Sequence, residues 1–250
     1  MVFERGLVAG TLVAGTLVGS VLAAGALTVP AGAAADSTPG APALYREALT
    51  TTRAWSVHYS SASTQSKVTL LVSGDAGPAS GTQTIVIGKG PLSDNATIVV
   101  IGGITFVKGN MGGLENLAGL SAAQATVAQG QWIQFATTNV AFAQVVAGVR
   151  SHDVAQELTL KGPLSLGHPR TIDGYAVDAI DGRQTFNGRT SQRVVLYVRA
   201  QGTHVPVEED SLDAKGRRTT AEHVTYSRWG EIVRPQAPQP TVSIGPVSSV

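Results

Sequence analysis

Hydrophobic positions along the chain recur with two different periods. In the segment PALYREALTTTRAW, Leu44, Ala48 and Leu49 fall at helical spacing, and Pro42 suits the first turn of a helix. From Trp55 onward the period becomes two, and segments such as WSVHYSS and KVTLLVSG alternate apolar and polar residues as half-buried strands do. The pattern therefore predicts a helix followed by a run of strands.

Two pairs of turn residues predict tight hairpins. Gly102-Gly103 separates two apolar runs, and Asn187-Gly188 lies within GRQTFNGRTSQRVVLYVRAQ. Both positions of a two-residue hairpin loop favour a positive φ, which glycine and asparagine adopt readily. The first half of the chain is therefore predicted to be an antiparallel meander, and strands return in the last third.

The segment from Gly109 to Ala128 interrupts the strands. Its first part, GNMGGLENLAGL, is rich in glycine but keeps apolar residues, which predicts a mobile segment that covers something apolar. Ser121 and Gln124 have capping-box spacing at the start of a short helix, and Ser151 is predicted to cap another. The order helix, strands, helices, strands favours an α+β domain in which one antiparallel sheet carries helices on one face.

The first 35 residues are predicted to be an export signal. An uncharged run from Leu7 to Val29 follows Arg5, Pro30 breaks it, and Ala33 and Ala35 stand where a signal peptidase needs small residues. The run is also long enough to span a bilayer, so an uncleaved anchor through residues 7–29 is the alternative. In either case the remainder lies outside the cytoplasm, in the cell envelope or the medium.

Composition divides the exported part and excludes several classes of function. Residues 36–42 form a predicted linker, 43–235 one domain and 236–250 a proline-rich tail. The chain has 18 Lys and Arg against 17 Asp and Glu, so no excess of charge points to nucleic acid. The absence of cysteine from the sequence excludes disulfides, thiol catalysis and a cysteine-linked lipid anchor.

No segment carries a recognisable catalytic or metal-binding motif, so we expect no enzyme, no cofactor and no metal site. His223 alternates with Val224 and Tyr226, which places it on the polar face of the last long strand, and His58 has the same pattern. Positive and negative residues are interleaved in the last third, and we expect a solvated, salt-bridged sheet face there. The acidic residues concerned are Glu208, Glu209, Asp210, Asp213, Glu222 and Glu231.

Several segments in order resemble the LppX/LprA/LprF/LprG group of actinobacterial envelope lipoproteins, related in fold to LolA and LolB. They are LYREALTTTRAWSVHYSS, ATIVVIGGITFVKG, GQWIQF, LYVRAQGTHVPVEED and VTYSRWGEIVRPQAP, and together they cover most of residues 42 to 238. The resemblance implies a strongly curved antiparallel sheet, a half-barrel, whose concave face is covered by helices. It also implies an apolar cavity for the acyl chains of a lipid or glycolipid, with the glycine-rich segment as its flap.

Alternation along the predicted strands selects candidate residues for the lining of that cavity. They are Val68, Leu70, Val72, Ile85, Ile87, Val99 and Ile101 from strands, and Leu114, Leu117, Phe142 and Val146 from the covering segments. Members of the group carry a lipobox cysteine after the signal, and the corresponding stretch here, AGAAAD, has none. The expected function is a lipid carrier or chaperone of the cell envelope that makes contact with the membrane. The alternative is a protein-interaction or envelope-sensor module on the same fold, with an envelope protein as its partner.

Overall fold

The computed structural model describes residues 39–65, 67–88, 93–136, 146–186 and 190–242. The predicted export signal, Phe142 and the Asn187-Gly188 turn lie outside these ranges. Within them, no helix is long and apolar enough to cross a membrane.

The described chain forms four helices and thirteen strands. The helices are α1 (Ala41–Ala54), α2 (Met111–Asn116), α3 (Ala122–Ala128) and α4 (Ser151–Glu157). The strands of the first half are β1 (Val57–Gln65), β2 (Val68–Ala76), β3 (Ser80–Ile87), β4 (Asp94–Ile101), β5 (Ile104–Gly109) and β6 (Trp132–Ala136). Those of the second half are β7 (Lys161–Leu166), β8 (Arg170–Ile172), β9 (Tyr175–Phe186), β10 (Thr190–Arg199), β11 (Pro206–Leu212), β12 (Arg218–Ser227) and β13 (Thr241–Val242).

One open sheet contains all of these strands. Its order is β13-β6-β5-β4-β3-β2-β1-β12-β11-β10-β9-β7, and β8 pairs with β9. All described pairings between these strands are antiparallel except that of β13 with β6, through which residues 241–242 of the predicted tail join the sheet. The predicted α+β class with a mostly antiparallel sheet is confirmed.

The helices lie on one face of the sheet, called the inner face below. Pairing sets Tyr59 opposite both Gly74 and Tyr226, so these three residues share that face. Leu44 of α1 is 1% exposed and Leu158, which directly follows α4, is completely buried, both in the same hydrophobic cluster as the two tyrosines. Burial of a leucine contributes about 1.5–3 kcal/mol, so these contacts account for much of the attachment of the helices to the sheet.

The sheet is strongly curved around α4. Gln184 on β9 and Gln83 on β3 are six strands apart in the sheet, yet both lie beside Glu157 at the end of this helix. In a flat sheet, six strand spacings would separate them by roughly 29 Å. The inner face is therefore concave, as the half-barrel prediction requires.

The start of α4 differs from the prediction. Arg150, not Ser151, is the N-cap residue, and its backbone N–H donates to Asp153 Oδ2 at 3.1 Å. Ser151 is buried, and its hydroxyl donates to the carbonyl oxygen of Arg53 at 3.0 Å. The serine thus ties α4 to the C-terminal end of α1 instead of capping its own helix. The predicted capping box of Ser121 and Gln124 is confirmed at the start of α3.

The glycine-rich segment predicted to be mobile forms α2, packed on β4 and β5. A methyl group built on Gly113 would lie 1.9 Å from the carbonyl oxygen of Asn95, so only glycine permits this approach. Asn110 caps the helix by accepting from Gly113 N at 2.8 Å. The glycines of α2 therefore serve close packing, a role that the sequence did not predict, and the mobile flap stays a prediction.

The residues that follow β12, the last long strand, have a structural role. Trp229 is half-buried against the cluster of α1 and α4, and its indole N–H donates to the carbonyl oxygen of Pro206 at 2.9 Å. Gly230 follows with a φ of +80°, and its N–H donates to Ser56 O at 2.9 Å. The indole thus anchors the strand end to β11, and Gly230 allows the chain to turn away from the sheet.

Candidate functional site

Five of the predicted lining residues form a continuous apolar strip on the inner face. Leu70 pairs with Ile87 and Val72 with Ile85, and Val68 continues the same face of β2. All five side chains are only half-buried. We call Val68, Leu70, Val72, Ile85 and Ile87 the aliphatic strip. Its residues have the register of an apolar lining and retain accessible surface.

Two predicted lining residues lie on the other face. Ile98 pairs with Gln83 and Val100 with Gly81, so these two residues of β4 face inward, and Val99 and Ile101 face outward. The choice of Val99 and Ile101 was therefore wrong by one residue. The cause is the apolar run Ile98–Ile101, in which both faces of the strand carry aliphatic side chains and alternation gives no direction.

The covering residues Leu114, Leu117 and Val146 lie together on the inner face. They join a hydrophobic cluster with Ile98 and Ile133, and Leu114 is completely buried. At this end of the sheet the interior is packed by side chains. Open apolar surface on the inner face is thus found at the aliphatic strip, whose Ile85 borders this cluster.

Three glutamates that were not predicted to be site residues also lie at the inner face. Glu209 pairs with Leu196 and Val224, which places its side chain inward, and Glu222 is two residues before Val224 on the same face. Glu157 comes from the C-terminal end of α4. We call Glu157, Glu209 and Glu222 the inner acidic cluster. The expectation of a solvated sheet face was wrong for Glu209 and Glu222.

Polar side chains from both halves of the sheet surround this cluster. A methyl group built on Gly148 would lie 2.9 Å from Gln83 Nε2, 3.3 Å from Glu157 Oε1 and 3.5 Å from the Tyr59 hydroxyl. Gln83 donates to the Tyr59 hydroxyl at 2.7 Å, which donates to Gly148 O at 2.9 Å. From the other side, Gln184 donates to the backbone carbonyl of Glu157 at 2.8 Å.

The inner acidic cluster has more acceptors than donors. Glu209 is 4% exposed and Gln83 is 5% exposed, and the Oε2 of the first and the Oε1 of the second are buried without a hydrogen-bond partner. A buried acceptor without a donor costs about 1–3 kcal/mol. The arrangement therefore favours anything that brings protons or positive charge to these oxygens.

Burial and mutual repulsion raise the pKa values of the cluster. Burial raises the pKa of Glu157 to about 8, and the carboxylates of Glu222 and Asp153 add to the increase. Burial raises the pKa of Glu222 to about 7. The pKa of Glu209 is raised well above its usual value by burial and then by Glu222. Near neutral pH the cluster therefore holds protons that glutamates with an ordinary pKa would have lost.

Water still reaches part of the cluster. Glu157 is exposed and Glu222 is half-buried, whereas Glu209 is buried. We call the part of the concave face that is bordered by these three carboxylates, Gln83 and Tyr59 the recess. The recess lies next to the aliphatic strip, because Gly74 and Gln83, which flank Tyr59, are each two residues from Val72 and Ile85.

A second cluster of charged side chains lies on the outer face, where arginines already neutralise its carboxylates. Glu208, Asp210 and His223 have ligand atoms within 4.8 Å of one another, a spacing that could hold a metal ion. Asp210 pairs with Arg218 at 2.7 Å and with His223 at 2.8 Å, and Glu208 pairs with Arg170 at 2.8 Å. The two guanidinium groups already provide the positive charge that a metal would supply. His223 faces outward as predicted, bonded to a buried aspartate.

Two clefts in the described chain lie away from the aliphatic strip. One, of about 240 Å³, lies between His58, Asp75, Arg228 and the segment after β12. The other, of about 440 Å³, lies between Asn95, Lys108 and Gln129. Neither contains any of the predicted lining residues.

Comparison with solved structures identifies the fold. LprF from Mycobacterium bovis is 12% identical, and the match covers 79% of this chain and 96% of LprF with a TM-score of 0.52. Mycobacterium tuberculosis lipoprotein LppX is 18% identical, with 77% and 98% of the two chains covered and a TM-score of 0.44. No protein-family model matches the chain, and no curated protein matches it in sequence. At such low identity the likeness to LprF shows a common fold, which confirms the fold expected from the resemblance.

Proposed function

We propose that the protein binds the acyl chains of a lipid or glycolipid along the aliphatic strip, as an exported carrier or chaperone of the cell envelope. The observation that carries the proposal is the strip itself. Five aliphatic side chains share one face of two paired strands inside a concave sheet, and all of them keep accessible surface. The LprF-like fold supports the proposal, since the resemblance in sequence implies an acyl-binding cavity at this place.

The energetics of transfer explain why a carrier needs such a surface. Each CH₂ group of an acyl chain that is exposed to water, instead of lying in the membrane or in an apolar site, costs about 0.8 kcal/mol. A carrier must therefore shield most of the chain to compete with the bilayer. A concave sheet lined by aliphatic residues provides continuous apolar contact, and polar groups at one end of the recess remain available for a head group.

The proposal is tested by filling the strip with a bulky side chain. Leu70→Trp adds volume on the inner face, whereas Leu71→Trp adds the same ring on the outer face, where Leu71 is 46% exposed. We expect the full chain to bind n-decyl-β-maltoside, a neutral amphiphile, in isothermal titration calorimetry. Leu70→Trp should weaken this binding by about tenfold or more, and Leu71→Trp should leave it unchanged.

Thermal unfolding of both variants serves as the control for folding. Equal loss of binding in the two variants, or no binding by the unmodified chain, would contradict the proposal. The second outcome favours the alternative function, a protein-interaction or sensor module on the same fold.

A further inference from the structure

We propose that the inner acidic cluster receives the head group of the bound amphiphile, and that this head group is an organic cation such as a primary or quaternary ammonium. This inference rests on the proposed function, because the cation would be attached to the chains that lie on the aliphatic strip. It adds the chemical class of the ligand, which the fold alone does not give.

The negative charge of the inner acidic cluster favours a cationic ligand. Glu209 of β11 and Glu222 of β12 face inward from paired strands, and Glu157 at the end of α4 lies near Gln83 and Tyr59. The charged groups that act most strongly on Glu157 and Glu209 are themselves acidic. Buried carboxylates in proteins are normally paired, since an unpaired buried charge is costly. A cation in the recess would supply the missing partner.

Two hydrogen-bond acceptors without a partner also favour a ligand that carries donors or positive charge. Glu209 on β11 and Gln83 on β3 both belong to the inner face, and Glu209 Oε2 and Gln83 Oε1 are buried without a donor. The hydroxyl of Tyr59, which lies beside Gln83, already donates to Gly148 O. A ligand that brings N–H donors or a diffuse positive charge would satisfy these oxygens, whereas an anionic head group would be repelled by them.

The distances between the carboxylates distinguish an organic cation from a metal ion. Within the described residues, the carboxylates of Glu157, Glu209 and Glu222 are not among the groups whose ligand atoms lie within 4.8 Å of one another. A bare metal ion needs its oxygen ligands at about 2.0–2.6 Å and therefore close together. The wider spacing of these three carboxylates suits an organic cation better than a single metal ion.

The position of the recess fits one end of an amphiphile. On β2 the inner face passes from Leu70 and Val72 to Gly74, and on β3 it passes from Ile85 to Gln83. The inner face thus changes from apolar to polar within two residues on both strands. An alkyl chain on the strip would place its head group beside Gln83 and Glu157.

Protons and a bound cation should compete for the same carboxylates. Glu157, Glu209 and Glu222, together with Asp153, Tyr59 and Tyr226, are the titratable groups around the recess. Because burial raises the pKa of Glu157 to about 8, this carboxyl is largely protonated near neutral pH. Binding of a cation lowers that pKa again, so it should release protons.

The test compares two amphiphiles with the same alkyl chain on the full-length protein. Decyltrimethylammonium carries a cationic head group and n-decyl-β-maltoside a neutral one, and both are titrated calorimetrically below their micelle concentrations at about pH 8. We expect the cation to bind at least about tenfold more tightly than the maltoside. At about pH 7, titrations in buffers of different ionisation enthalpy should show proton release with the cation only.

Glutamate-to-glutamine variants show whether the preference for the cation arises at the inner acidic cluster. The double variant Glu157→Gln/Glu222→Gln should lose the preference for the cation and keep its affinity for the maltoside. Glu47→Gln, which changes an exposed glutamate on α1, should behave as the unmodified chain. Thermal unfolding checks that all variants are folded.

Each outcome bears on one of the two proposals. Equal affinity for the two amphiphiles overturns the cation inference and leaves the acyl-binding proposal standing. A preference for the cation that survives in the double variant also overturns it, because the charge would then be recognised elsewhere. Binding of neither amphiphile removes the acyl-binding proposal on which the inference rests.

Discussion

Glu209 has its carboxylate on the inner face, while its neighbours Glu208 and Asp210 have theirs on the outer face. Successive side chains of a strand point to opposite faces, so three adjacent acids meet two different environments. The outer pair bonds to arginines, and the inner carboxylate accepts a hydrogen bond from the Gln184 amide. Residues that look equivalent in the sequence thus have opposite electrostatic roles.

The residue-scale prediction concerns the pH dependence of stability. Glu157 has a folded pKa of about 8 against a usual value near 4.5, so the folded state binds more protons than the unfolded state between these values. Its stabilising contribution is complete below about pH 4.5 and is lost as the pH rises through about 8. Glu157→Gln removes this loss and should stabilise the protein at about pH 9 by roughly 1–2 kcal/mol, a value reduced because the residue is exposed.

Urea unfolding of the unmodified chain and Glu157→Gln at about pH 5 and pH 9 provides the measurement. The difference between the two proteins should grow toward the higher pH, with Glu47→Gln as the control that shows no such growth. A difference that stays constant with pH would show that the Glu157 carboxyl titrates normally.

Among the helices, strands and turns, the sequence predicted those whose capping, turn and spacing residues agree with the way the element packs. Helix α1 begins near Pro42, the Ser121 capping box opens α3, and Gly102-Gly103 joins β4 to β5 in a hairpin. Prediction failed where composition and packing disagree. Helix α2 contains two glycines, which lower helix propensity, but their missing side chains let the helix lie against β4.

The element-scale prediction tests this use of glycine. Gly113→Ala places a methyl group 1.9 Å from Asn95 O, so α2 must move away from β4, at a cost of about 1–3 kcal/mol in unfolding free energy. Gly103→Ala is the control, because a methyl group there meets nothing within 4 Å. Denaturant unfolding of both variants checks the expectation. If Gly113→Ala proves as stable as the unmodified chain, α2 is not held by close contact.

At the scale of the whole molecule, the sequence indicates the class of fold but not the contents of the recess. Resemblance and alternation together gave a curved sheet covered by helices, with the correct face for β2 and β3. The inner acidic cluster was not predictable, since Glu157 and Glu209 are far apart in the chain and only the curvature brings α4 against the sheet. Distant residues that meet through curvature leave no local pattern in a single sequence.

Native mass spectrometry of the purified full chain shows directly whether the inner face binds acyl chains. The protein is produced in an actinobacterial host and isolated from the envelope and the culture medium without detergent exchange. We expect an additional mass, identified as a lipid after organic extraction, on the unmodified chain and on Leu71→Trp, and its loss from Leu70→Trp. An unmodified chain that carries no lipid, or a lipid that remains on Leu70→Trp, would contradict acyl binding by the inner face.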